Sequence, residues 1–68
     1  MQQVTNRVLR LKGTEEKVGI RRDAIYARIR KGKFPKPVKL GDRATGWLES
    51  ELDEWIAQRA GERDGQGV

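Results

Sequence analysis

The chain is 68 residues long, has no cysteine and no histidine, and carries 15 Lys/Arg against 10 Asp/Glu for a net charge of +5. That composition excludes disulfide staples, thiolate or imidazole metal sites, and Ser-His or Cys-His nucleophile chemistry. No apolar run approaches the roughly 20 residues a membrane-spanning helix needs, and the polar start Met-Gln-Gln-Val-Thr-Asn does not read as a signal peptide. The expectation is one soluble, cytoplasmic domain with a small core, no cofactor and no enzymatic activity.

The charge is unevenly placed. Residues 1–47 hold 13 Lys/Arg and 4 Asp/Glu, a balance of +9, whereas residues 48–68 hold 2 and 6, a balance of −4. Within 21–43 alone there are 9 basic and 2 acidic residues. Such a basic stretch favours a polyanion, and nucleic acid first.

Residues 1–9 read as a flexible arm, in which Arg7, like Arg10 just beyond it, is a phosphate candidate that a frayed terminus explains as well. Leu11, Thr14 and Val18 have helical spacing, so a short helix is expected over about 13–18, weakened by Gly13. Glu15 and Glu16 are neighbours that do not face each other on a helix, and they read as solvated. Gly19 allows a sharp left-handed turn and Ile20 can plug the corner. A second helix is expected over about 21–31, with Ile25 and Ile29 on one face and Asp23, Ala27, Arg30 and Lys31 on the other, Tyr26 on the flank. Helix, glycine turn and a second helix with a cationic outer face make a helix-turn-helix.

Gly32 is a suitable stop for that helix. Lys33-Phe34-Pro35-Lys36-Pro37 must be extended, and Phe34 reads as core. Val38-Lys39-Leu40 alternates like a half-buried strand, Gly41-Asp42 signals a turn, and Ala44-Thr45-Gly46-Trp47 can return as its partner. The hairpin, about 38–47, has Asp42 and Arg43 near its tip and is a wing. A last helix is expected over about 49–61, opened by Glu49, Glu51 and Asp53, with Ser50 and Asp53 at capping-box spacing or the cap a residue or two earlier, and with Leu52, Trp55 and Ile56 as one apolar stripe. Trp47 and Trp55 read as core. The acidic outer face of this helix should turn away from DNA, and the tail 61–68 reads as disordered. The fold class is therefore mainly α with a small β-hairpin: a winged helix-turn-helix over 10–60.

Three segments carry a resemblance: Leu-Arg-Leu-Lys; then Val-Gly-Ile-Arg-Arg-Asp-Ala-Ile-Tyr-Ala-Arg-Ile-Arg-Lys-Gly-Lys-Phe-Pro-Lys-Pro-Val-Lys-Leu-Gly; then Gly-Trp-Leu-Glu-Ser-Glu-Leu-Asp-Glu-Trp-Ile. Over about residues 9–59 the chain resembles the AlpA family of phage and prophage regulators, small winged-helix proteins similar to excisionases and to the DNA-binding domain of MerR-type regulators. The resemblance implies sequence-specific DNA binding, either to control a promoter or to help an integrase excise a mobile element. It also implies that Arg21, Arg22, Asp23, Tyr26 and Ala27 enter a major groove and that Gly41–Arg43 form the wing. Arg21 stands where the family commonly has a capping serine, and Ala24 and Ala27 where it usually has a polar residue and an arginine.

On chemical grounds Arg22 suits guanine and Asp23 can accept from cytosine N4. Arg30 suits phosphate, Lys36, Lys39 and Arg43 suit the sugar-phosphate backbone or a minor groove, and Tyr26 suits a phosphate, a thymine methyl or packing beside Ile25. Expected partners are double-stranded DNA, an integrase, and a second copy through weak or DNA-dependent association. The competing reading is a protein-interaction adaptor that binds an integrase or another regulator through the same fold.

Overall fold

The computed structural model describes residues 7–66; residues 1–6 of the expected arm and 67–68 of the expected tail lie outside it. The elements are β1 (Val8–Leu9), α1 (Leu11–Val18), α2 (Arg22–Arg30), β2 (Val38–Lys39), β3 (Thr45–Leu48) and α3 (Glu49–Gln66). Three helices and a three-stranded antiparallel sheet of order β1-β3-β2 make the winged helix-like fold.

The corner between α1 and α2 is built as its residues dictate. Gly19 takes φ 77°, and its N–H donates to the Glu15 carbonyl at 2.8 Å, closing α1. Ile20 packs against the core. Gly32, at φ 72°, ends α2: its N–H donates to the Ile29 carbonyl at 2.9 Å, and that of Lys33 to the Arg28 carbonyl at 2.8 Å. These bonds satisfy carbonyls that a helix end leaves unpaired.

The wing has β2 against β3, with Val38 opposite Gly46 and Lys39 opposite Thr45. The strand stops at Lys39, and Leu40 is 47% exposed rather than half-buried. On the other edge of β3 lies β1, pairing Val8 with Leu48 and Leu9 with Trp47. Val8 and Leu9, expected in a free arm, are thus the third strand of the sheet. Arg10 Nε donates to the Thr45 carbonyl at 3.0 Å, while the Arg7 carbonyl accepts the N–H of Glu49 at 2.7 Å. Pairing with β3, which no periodicity in so short a segment announces, holds it in the sheet.

Ile25, Phe34, Trp47 and Leu52 are buried, with Leu9, Leu11, Val18, Ile20, Ile29 and Trp55 packed around them. Trp47 Nε1 donates to the Pro35 carbonyl at 2.9 Å and Trp55 Nε1 to that of Lys33 at 2.8 Å. These bonds bind the extended Lys33–Pro37 segment to the sheet and to α3. Phe34 and Trp55 meet edge to face at 4.9 Å, a favoured aromatic geometry. Ile56 is 36% exposed and does not complete the expected stripe, since the core ends at Leu52 and Trp55.

α3 begins at Glu49 directly out of β3, the expected start, so the earlier of the two expected cap placements holds and Ser50 is inside the first turn. Asp53 pairs instead with Lys17 of α1 at 2.8 Å, and Glu49 joins it at 3.1 Å, which fastens α1 to α3. Hydrogen bonds to Asp53 and then Glu49 raise the Lys17 ammonium above its ordinary 10.5. The helix also continues through Gly61 to Gln66 instead of ending near Gly61. No proline interrupts it, and the Arg59–Glu62 pair at 2.6 Å, three residues apart, spans the glycine.

Gly13 sits inside α1, and a Cβ there would lie 3.7 Å from Leu9 Cβ, an ordinary contact. Gly13→Ala is therefore expected to stabilise the fold by up to about 1 kcal/mol, read as a higher urea midpoint.

Candidate nucleic-acid interface

α2 buries Ile25 and half-buries Ile29, so its sequence fixes which side faces outward. At about 100° per residue, Arg22, Asp23, Tyr26, Ala27 and Arg30 share one sector of about 140°, and both isoleucines lie outside it. Arg22, Asp23, Tyr26 and Arg30 are exposed, and Ala27 is half-buried among them. Arg21 is the extended N-cap residue and is exposed as well. The nine residues of α2 rise about 13 Å, comparable to the ~12 Å width of a major groove.

Arg28 does not belong to this face. It is half-buried, and its guanidinium returns to the Ala24 carbonyl at 3.3 Å. Tyr26 both packs and faces outward: its ring lies 6.2 Å from that of Trp47, tilted by 60°, and 37% of the residue is exposed. Through Tyr26 and Trp47 the outer face of α2 is tied to β3, the central strand of the sheet. Lys36, Lys39 and Arg43 are exposed on the segment before the wing, on β2 and in the loop between β2 and β3. Arg21, Arg22 and Arg30 are therefore exposed on the helix-turn-helix and Lys39 and Arg43 on the wing, while Glu49 and Asp53 are held by Lys17.

One contact at the start of α2 was not legible in the sequence. Glu15, expected to be solvated, accepts the backbone N–H of Arg22 through its Oε2 at 2.7 Å. Arg21 makes no side-chain cap, so the carboxylate of α1 caps α2 from across the turn. The available signal was the missing cap residue at position 21, which leaves first-turn amides in need of an acceptor.

The family model described as prophage CP4-57 regulatory protein (AlpA) matches residues 7–60, most of the chain. The protein belongs to the AlpA family. An uncharacterized protein, ORF88, of Enterobacteria phage P4 is 43% identical over 60 residues, covering 87% of this chain and 68% of the phage protein. The DNA-binding transcriptional activator AlpA of Escherichia coli strain K12 is 39% identical over 59 residues, covering 78% of this chain and 84% of the activator. No solved structure matches significantly. The AlpA match begins at Arg7, so it includes β1 and its pairing to β3 along with the helix-turn-helix and wing.

Among the described residues, no helix is long and apolar enough to cross a membrane, and no group of three or more Asp or Glu is arranged to hold a metal ion.

Proposed function

We propose that this AlpA-family chain is a sequence-specific DNA-binding regulator of a phage or other mobile element, acting in the bacterial cytoplasm at the nucleoid. The observation that carries the reading is the exposed cationic face of α2 joined to a basic wing on a helix-turn-helix frame. The similarity to a protein named as a DNA-binding transcriptional activator supports it.

In this reading α2 enters a major groove. Arg22 donates to guanine and Asp23 accepts from cytosine, with Tyr26 and Ala27 against the neighbouring base edges. Arg21, Arg30 and Lys36 contact phosphates, and Lys39 and Arg43 carry the wing to the backbone or a minor groove. Phosphate neutralisation releases counterions, so affinity falls with salt. One such module offers a small interface, so paired or repeated sites and weak or DNA-dependent self-association follow. In an excisionase role the same contacts would bend the site beside an integrase.

Arg22→Ala tests the assignment. It is expected to weaken operator binding by about 1–3 kcal/mol, roughly 5- to 150-fold in Kd. Thermal stability should be unchanged within about 0.5 kcal/mol, because the side chain is exposed. An unchanged Kd would overturn the role of Arg22 in base reading.

A second reading, the adaptor, draws on one observation. An open groove runs between residues 32–38 and α3, with Trp55 and Pro35 beside the carboxylates of Glu51 and Glu54. In that reading Glu54→Lys, rather than Arg22→Ala, disrupts function.

A further inference from the structure

The start of α2 is already occupied by an anion. Glu15 reaches across the turn, and its carboxylate holds the N–H of Arg22 at 2.7 Å. The same residue's carbonyl accepts the N–H of Gly19 at 2.8 Å, so Glu15 grips both sides of the corner. The first amides of a helix lack intrahelical partners and carry the positive end of its dipole, which makes them good phosphate ligands. Here Arg21 and Arg22 add two exposed cations to that end, while the protein's own carboxylate has taken the backbone amide that joins them.

We propose that Glu15 is a specificity-determining residue: its carboxylate, held at the Arg22 amide, denies that amide to DNA phosphates and suppresses sequence-independent binding. The proposal rests on α2 being the DNA-facing helix. Non-specific complexes depend almost wholly on phosphate contacts, whereas a complex at the right sequence also has base contacts. Removing one phosphate anchor, and placing a negative charge there, therefore takes a larger share from the non-specific mode. Glu15 thereby improves discrimination without touching a base. Its second effect is to position α2 against α1 where Arg21 supplies no side-chain cap.

The test compares wild type, Glu15→Ala, Glu15→Gln and Glu16→Gln on a scrambled duplex and on the duplex upstream of the protein's own gene, across a salt series. Glu15→Ala frees the amide. It is expected to bind the scrambled duplex about threefold more tightly, as one charge at a helix end suggests. Its log–log salt slope should steepen by about 0.9, one additional phosphate, and its preference for the upstream duplex should fall. Glu15→Gln keeps an oxygen for the Arg22 N–H and so keeps the fold. It is expected to gain affinity for the scrambled duplex without the steeper slope. Glu16→Gln makes the same charge change on an exposed neighbour and should leave the preference as it is.

If neither Glu15 variant gains on the scrambled duplex, or if Glu16→Gln matches them, the proposal is overturned. Should Glu15→Ala fail to fold by circular dichroism, Glu15→Gln decides alone. Wild type that binds neither duplex overturns the DNA reading itself, a different outcome from wild type that binds while the variants behave identically to it.

Discussion

Trp47→Ala is expected to leave the chain unfolded at room temperature. Trp47 is fully buried on the central strand, its indole N–H bonds to the Pro35 carbonyl, and it joins the cluster of Ile25, Phe34 and Leu52. Truncating a buried tryptophan costs about 3–5 kcal/mol. A chain of this size with no disulfide or metal staple rarely has more than about 3–5 kcal/mol of stability in total, so the loss consumes most or all of it. The change also removes the packing partner of Tyr26 and would loosen the link between α2 and the wing. Far-UV circular dichroism during a thermal melt reads the result. Ile56→Ala is the contrast, expected within about 0.5 kcal/mol of wild type because Ile56 is only partly covered. A cooperative melt of Trp47→Ala within a few degrees of wild type would contradict the assigned core.

Gly46→Ala is expected to cost about 1–3 kcal/mol and to lower Tm by roughly 5–20 °C. A Cβ at position 46 would meet Val8 Cγ1 at 2.6 Å, the Leu9 carbonyl oxygen at 2.9 Å and Leu40 Cδ1 at 3.2 Å. Val8 and Leu40 are side chains that can rotate. The Leu9 oxygen is backbone, so β1 itself must move away from β3. Gly46 is thus required by the close approach of the two strands, not by its own dihedral angles. Adding Val8→Ala should return only part of the lost stability, since the backbone clash remains, and the double-mutant cycle measures that part. An alanine variant as stable as wild type would mean that β1 does not pack as described.

The features legible in the sequence were local ones. Gly19 and Ile20 announced the turn, the four-residue spacing of Ile25 and Ile29 gave the buried side of α2, and Gly32 marked its end. Val38-Lys39 and Thr45-Gly46-Trp47 around Gly41-Asp42 gave the hairpin, with Lys39 and Arg43 exposed on it. What escaped depends on distant partners. A two-residue strand has no readable period, so nothing in Val8-Leu9 announced a pairing with Trp47 and Leu48 about forty positions away. The tightness at Gly46 follows from that pairing and was hidden with it. Glu15 looked like any solvated carboxylate, because its partner is a backbone amide that exists only once the turn has formed. Gly61 suggested an end to α3, yet a single glycine costs only about 1 kcal/mol in a helix, which nearby pairs such as Arg59–Glu62 help to offset. For the candidate site, composition and spacing singled out the cations of 21–43. The side-chain bond that withdraws Arg28 from the surface was visible only in three dimensions.

Under the proposed function, the basic face of α2 and the wing read a DNA sequence. Fluorescence anisotropy of the wild-type chain on the duplex upstream of its own gene and on a scrambled duplex, each at two salt concentrations, tests it most directly. Tighter binding to the upstream duplex is expected, with affinity for both falling as salt rises. Equal, weak binding to both duplexes would contradict sequence reading by this chain alone and would turn attention to the groove beside Trp55 and a protein partner.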